Sequence, residues 1–532
     1  MSSDNLPVFK SWVSVWLVRI TIFMVITPGL LLFGLSTASG PGAAGYYGIE
    51  PADVQYSMIA FYAAVAGFFA LERRFFVFIA SREYFVLCIV LQVITSYVCF
   101  HTSHLFVLLI FRFLQGMANC MSTSICITLI FGSLHSERAR EIGYSIFYGL
   151  LLCITPISTI VTAPIVDAFD FNVLYKFIIF AFLPGSILLL LIMNNVRLNR
   201  KMPLYQLDYY SFIIYSAALC SLGFVLVYGE QYYWFQDRRI VFGAVSTVLL
   251  LALLIFRQIH LKRPYLDMAV FKHRNFNVGV FLVFVLYIVR GAFGLTSTYF
   301  ASILGMDPRH IGYMLLLNIA GITFGVLISS RLIIMKRPMR LTWIYGFALL
   351  LIFHVWMWFL FSTQADPSVF FAPLFIQGMG QGMLMTPIIV FMISSVPPVL
   401  GSSASATGVF FRFTGFCASI ATVNYFQLHH KTDHADRFQA QLSGLNGLVT
   451  DRLGTYTRSL TAKGLAPEQA AKIAKGLLNR TVDNQATLRT MMDYYLFISV
   501  IIIIVILIIA LFPYLNRTRI NLRSNQPAPA SY

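Results

Sequence analysis

Apolar positions in this chain gather into fourteen long blocks between Trp12 and Leu515, each long enough to cross a bilayer. A hydrocarbon core about 30 Å thick needs roughly 20 apolar residues per helix. The blocks predict spans over residues 12–36, 54–71, 84–101, 105–131, 141–165, 173–194, 209–229, 240–257, 276–300, 311–331, 341–362, 368–392, 403–427 and 490–515. An all-α polytopic membrane protein follows, and any site must lie inside a helical bundle. The first block exceeds a usual signal-peptide core and is read as an uncleaved helix, despite the small residues from Ser36 to Gly45 that follow it.

Positive charge falls on alternate connections. One set carries Lys10, Arg73, Arg74, Arg82, Arg138, Arg140, Arg197, Arg200, Lys201 and Arg257. It continues through Lys262, Arg263, Lys272, Arg274, Lys336, Arg337, Arg340, Arg517, Arg519 and Arg523. The short loops of the other set hold only Arg238, Arg239 and Arg309, with Lys176 at a helix start, beside acids such as Glu50, Asp53 and Asp167. The positive-inside rule then places both termini in the cytoplasm, which needs an even number of spans. One outer connection, 428–489, is long and polar, with a helical pattern that opens at Pro467 and Glu468. The tail after Asn516 is polar and Pro-rich.

Composition agrees: 58% of residues are hydrophobic and 11% charged, far below a soluble domain. The net charge of +17 sits in membrane-flanking loops rather than on one face, so nucleic acid is excluded as a partner. Seven cysteines fall within the spans without metal spacing and read as buried free thiols.

An internal repeat organises the spans. Span 4 contains Gln115-Gly116-Met117 and span 12 contains Gln377-Gly378-Met379, 262 residues later. Gly143 to Gly149 in span 5 aligns loosely with Gly408 to Gly415 in span 13. Duplicated halves packed face to face, with a site near the midplane between them, are a common transporter plan. The expected organisation is a six-helix bundle over 1–200 and a two-helix insert over 201–262. Helices 9–13 over 263–427, an outer helical loop over 428–489, the last span over 490–515 and a cytoplasmic tail over 516–532 complete it.

The run from Leu109 through Arg112 and Gln115 to Gly116 matches an Arg-x-x-Gln-Gly pattern of fourth helices. With Arg274-Asn275-Phe276, Gln377-Gly378 to Pro387 and Gly401 to Gly408, it makes the chain resemble the fourteen-helix drug/proton antiporters of the major facilitator superfamily. The resemblance implies the major facilitator fold, two six-helix bundles plus two inserted helices. It also implies multidrug efflux from a bacterial inner membrane by proton-driven antiport. Where such antiporters carry Gly-Pro…Gly-Gly in the fifth helix, this chain has Thr155-Pro156 and Ala163-Pro164. The loop after span 2 keeps its charges in Glu72, Arg73, Arg74 and Arg82, and lacks the pattern's second glycine. These four are the candidate cytoplasmic gate. The outer helical loop resembles that of Gram-negative members, which implies a periplasmic adaptor and an outer-membrane channel as partners, beside membrane lipid and a small-molecule substrate.

Four arginines stand within spans: Arg19, Arg112, Arg290 and Arg412. A mid-membrane Arg costs about 2.5–3.5 kcal/mol on insertion scales, so it faces protein or water, or snorkels near a helix end. No Asp or Glu lies in the middle of any span. Arginines around a cavity without carboxylates favour acidic or amphiphilic substrates. Uncharged candidates for the same lining are Gln115, Asn119, Asn318, Gln377 and Gln381, whose bland role is interhelical hydrogen bonding. His354 is the central titratable candidate, although a lone histidine in an apolar helix is more often structural. His429-His430-x-x-x-His434 with Asp433 and Asp436 has helical spacing but reads as a solvated loop, so no metal or cofactor is expected.

Together these features point to secondary active export of small hydrophobic or amphiphilic, and by charge anionic, compounds. The missing mid-span acid leaves open an uncoupled facilitator or flippase for an anionic lipid-like molecule, or a non-transporting sensor of the same fold. No nucleophile–base or metal constellation at membrane depth supports an enzyme.

Overall fold

The computed structural model describes residues 8–134, 139–195, 208–335, 337–442 and 446–511, without the side chains of residues 37, 73–78, 139 and 140. Arg138, Arg197, Arg200, Lys201, Lys336, Arg517, Arg519, Arg523 and the polar tail lie outside the described residues, as do the side chains of Arg73, Arg74 and Arg140.

The helices in chain order are α1 (Val15–Ala38), α2 (Gly40–Tyr47), α3 (Pro51–Phe78), α4 (Ser81–His101), α5 (Leu105–Ser133), α6 (Ala139–Ala168) and α7 (Val173–Ile192). Next come α8 (Tyr209–Tyr228), α9 (Arg238–His260), α10 (Arg274–Val289), α11 (Ala292–Thr298), α12 (Pro308–Ile334) and α13 (Met339–Leu360). The last are α14 (Phe371–Ser394), α15 (Gly401–Tyr425), α16 (Lys431–Ala440), α17 (Gly447–Ala462) and α18 (Pro467–Leu511). Among the described residues fourteen helical segments are long and apolar enough to span a membrane. In lipid every backbone polar group must be satisfied within its own segment, which is why the apolar blocks become helices.

The repeat in the sequence reappears as a repeat in packing. α3 lies on α5 as α12 lies on α14, and α4 on α5 as α13 on α14. α1 meets α6 as α10 meets α15, and α4 meets α7 as α13 meets α18. Across the middle α3 touches α15 and α6 touches α12. The paired α8 and α9 attach through α8 to α3 and α15.

The recurring Gln-Gly pair explains two of the close helix contacts. A Cβ on Gly116 would stand 2.2 Å from the Phe61 carbonyl oxygen of α3, and one on Gly378 2.2 Å from the Asn318 carbonyl oxygen of α12. Only glycine lets the backbones approach this closely. Gly378→Ala should therefore destabilise the protein by about 1–3 kcal/mol, since backbone cannot yield as a side chain can. Gly132→Ala, with nothing within 4 Å of the new Cβ, should be near neutral. Thermal unfolding of the two variants in detergent checks this.

Two segments run on past their predicted ends. α15 passes through a π-helical turn, Phe426–His430, into α16, and α18 is one helix of 45 residues. At 1.5 Å per residue α18 is about 67 Å long, twice the hydrocarbon thickness. No proline follows Pro467 within α18, so the change from polar to apolar near residue 490 is not a structural break. With α16 and α17 packed against it, α18 forms a helical hairpin on the face opposite the basic connections.

Candidate functional site

A cavity of about 1650 Å³ lies between the two sets of repeated helices. It reaches from Glu72 and Ser403, toward the basic face, to Ser39 and Gln427 at the other. Its walls are largely apolar, with clustered aromatic rings. Phe33, Tyr62 and Phe416 bring α1, α3 and α15 together, with ring centroids 5.5–5.7 Å apart. On α6, Tyr148 packs against Tyr144 at 6.0 Å and Phe147 at 5.0 Å.

Two guanidinium groups interrupt this apolar wall near the middle of their spans. Arg412 comes from α15, which approaches α10 closely because Gly415 lies against the Phe284 carbonyl. Its Nη1 donates to the Tyr148 hydroxyl at 3.5 Å, its plane lies 5.5 Å from that ring, and Tyr62 and Tyr287 stand beside it. Its Nε is buried without a hydrogen-bond partner. Arg290 sits where the ninth span breaks between α10 and α11. At the next residue a Cβ on Gly291 would meet the Ser419 hydroxyl at 2.0 Å, so a larger residue at the break would displace that side chain. The Arg290 guanidinium lies 5.2 Å from the Tyr287 ring. Among the described residues no carboxylate forms an ion pair with either arginine.

The other candidates divide by helix face and by depth. Asn119 on α5 and Gln381 on α14 line the cavity, as do Asn318, Thr155 and Pro156. One turn away, Gln115 and Gln377 do not. Gln115 donates to the Ser96 hydroxyl at 3.0 Å, and Gln377 accepts from Asn318, whose amide also donates to the Leu374 carbonyl at 2.9 Å. Pro164 is exposed.

Arg112 is fully buried but off the cavity, a correction to its expected place. It donates to the Leu32 carbonyl at 3.1 Å and to Gln115 at 2.9 Å, over the Phe61 ring at 4.9 Å. The close approach of Gly116 to α3 seals α1, α3 and α5 around it. Arg19 is likewise outside: it is exposed beside Trp16, 5.2 Å from that ring, as a snorkelling arginine is. His354 is buried in the contact of α13 with α18, its Nδ1 2.7 Å from the Leu350 carbonyl and its ring 5.2 Å from Tyr495, because α13 stands outside the cavity wall.

Of the candidate gate, Glu72 is buried on the cavity wall and accepts from the Tyr84 hydroxyl at 2.7 Å. Arg82 is exposed, and the side chains of Arg73 and Arg74 lie outside the described residues. The three tyrosines at Arg412 escaped sequence reasoning, since nothing separates them from the other 24 of the 27 in the chain.

On the face opposite the basic connections, Gln55 and Asn424 exchange amide hydrogen bonds of 3.2 and 2.9 Å between α3 and α15. Arg309 and Asp167 pair at 3.1 Å between α12 and α6. These polar contacts join the repeated sets at one end of the cavity.

Comparison with known proteins fits this geometry. The colistin resistance protein EmrB of Acinetobacter baumannii is 21% identical over 80% of this chain and 81% of its own length. The probable multidrug resistance protein EmrY of Escherichia coli is 22% identical over 84% and 91%. A crystal structure of a POT family transporter in complex with 5-aminolevulinic acid superposes with a TM-score of 0.61 over 94% of this chain and 96% of that one, at 14% identity, a likeness of fold. The model of the Major Facilitator Superfamily matches residues 20–422, and the chain belongs to that superfamily of membrane transporters.

Proposed function

We propose that the protein exports small amphiphilic anions by alternating access, exchanging them for protons. The observation that carries this reading is the placement of Arg290 and Arg412 on a largely apolar cavity of about 1650 Å³ with no carboxylate paired to them among the described residues. An apolar wall with a few charged groups binds the body of a ligand and fixes its orientation. Here the fixed charge is positive, so the ligand's head group is acidic. The repeated helix sets, 1–200 and 263–427 with 490–515, rock about the cavity with 201–262 as an insert. The basic face is cytoplasmic, both termini lie on that side, and the membrane is a bacterial inner membrane.

Exchange of one proton for one monoanion moves two charges in the same electrical sense. An inside-negative potential then assists by about 2.3 kcal/mol per charge per 100 mV. The direct test is efflux from proteoliposomes under an imposed pH gradient, with anionic and cationic dyes of similar size. Export of the anionic dye is expected; export of the cationic dye alone overturns the assignment.

The helical hairpin projecting on the far side is the surface we assign to a periplasmic adaptor leading to an outer-membrane channel. Deleting residues 433–487 should abolish export from intact cells and leave substrate binding by purified protein unchanged. Loss of binding as well would make the hairpin a folding element instead.

A further inference from the structure

At the base of the hairpin, away from the cavity, three potential metal ligands meet. His430 ends the π-helical turn, His434 follows one turn later on α16, and Asp493 comes from α18. The His434 Nε2 lies 2.8 Å from an Asp493 carboxylate oxygen, and the His430 Nδ1 lies 3.7 Å from the same atom. One donor atom from each of the three falls within 4.8 Å of the others. We propose that His430, His434 and Asp493 bind a divalent transition-metal ion of the zinc class, clamping α16 to α18.

The distances are close to those the ion needs. Zinc takes nitrogen and oxygen donors at about 2.0–2.2 Å, so tetrahedral donors stand roughly 3.3–3.5 Å from one another. The two histidine–aspartate separations bracket that range. Imidazole donors favour zinc and its neighbours over magnesium or calcium, which prefer oxygen. A fourth position remains for water.

The rings are held by packing. His430 stacks on Phe426 with centroids 4.6 Å apart and planes 13° from parallel, and His434 stacks on Phe438 at 6.3 Å. The donors are only partly exposed, 33% for His430, 18% for His434 and 39% for Asp493. Neighbouring charges are engaged elsewhere: Lys431 pairs with Asp483 at 2.9 Å, and His429 lies 3.8 Å from Asp433. The cation therefore meets a carboxylate without a lysine bound to it. A π-helical turn often marks a functional site. Here it turns His430 toward α18, beside the Asp493 carboxylate, which lies 59 residues beyond His434 in the chain.

The test uses the tag-free, full-length protein, stripped with a chelator and titrated with Zn²⁺ against a chromophoric competitor. One ion per chain is expected, and Co²⁺ in its place should give the intense visible absorption of a four-coordinate site. His434→Gln keeps a donor to Asp493, so the fold is retained, and should weaken binding by more than about 100-fold. Asp493→Asn should do the same, while His310→Ala, far from the cluster, should bind as the parent does. Binding of Zn²⁺ no tighter than about 100 µM by the parent protein, or unchanged binding by His434→Gln, overturns the proposal.

Discussion

Replacing Arg412 by Gln should raise the KM for an anionic substrate by about 10- to 100-fold, with the cationic dyes unaffected. A hydrogen bond to a charged group is worth about 1.5–3 kcal/mol net, and that sets the scale. The unliganded site gives the variant a second signature. Arg412 has a buried Nε with no partner and a 3.5 Å contact to a neutral hydroxyl. A half-buried charge held only by the neutral hydroxyls of Tyr148 and Tyr287 is a modest cost to the fold. Its removal should leave the empty protein as stable or more so in thermal unfolding, while abolishing the stabilisation that an anionic ligand provides. A purely structural arginine predicts the opposite, loss of stability without ligand. Arg412→Lys keeps the charge but not the planar fork, and should fall between. Arg290→Gln should act in the same sense. Transport of the anion with unchanged KM by Arg412→Gln would remove the central argument for an anionic substrate.

The sequence revealed spans better than faces. Bilayer thickness and loop charge are physical constraints that act on composition alone, so fourteen helices could be read without any tertiary information. The recurrence of Gln115-Gly116 at Gln377-Gly378 also translated into structure, because each glycine meets a backbone carbonyl that no side chain could approach. Depth and direction are a different matter. Gln115 and Asn119 are one turn apart on α5, yet only Asn119 reaches the cavity. The convergence of α1 and α3 that shuts off Arg112 and Gln115 depends on contacts 50 to 80 residues away in sequence. Arg19 and His354 lie off the cavity, and nothing in their own helices says which neighbour each one faces. The hairpin shows the same limit in another form. A hydropathy boundary near residue 490 divided what the backbone keeps as one helix, and the partner of His434 is Asp493, within that helix.

Glu72→Gln should abolish accumulation driven by a pH gradient and preserve downhill exchange of the same substrate. Glu72 is the one carboxylate on the cavity wall among the described residues, and it is 4% exposed at the end of α3 nearest the basic face. An acid buried at that level is expensive unless its proton or its partner has a use. Tyr84 donates to it at 2.7 Å from α4, which holds the carboxylate in place without neutralising it. Glutamine keeps the size and accepts the same hydrogen bond, so packing is preserved while proton exchange is lost. Uptake and efflux assays in one preparation of vesicles separate the two functions. A variant that still accumulates substrate against its gradient excludes Glu72 as the coupling group. A variant that loses downhill exchange as well marks Glu72 as part of the gate with the arginines of its loop. Tyr84→Phe, which removes a hydrogen bond but leaves the acid, should retain coupled transport at reduced rate. Because Glu72 and Arg412 occupy different depths of one cavity, coupling and recognition should fail separately: the double variant should show both defects, and neither single variant should show the other's.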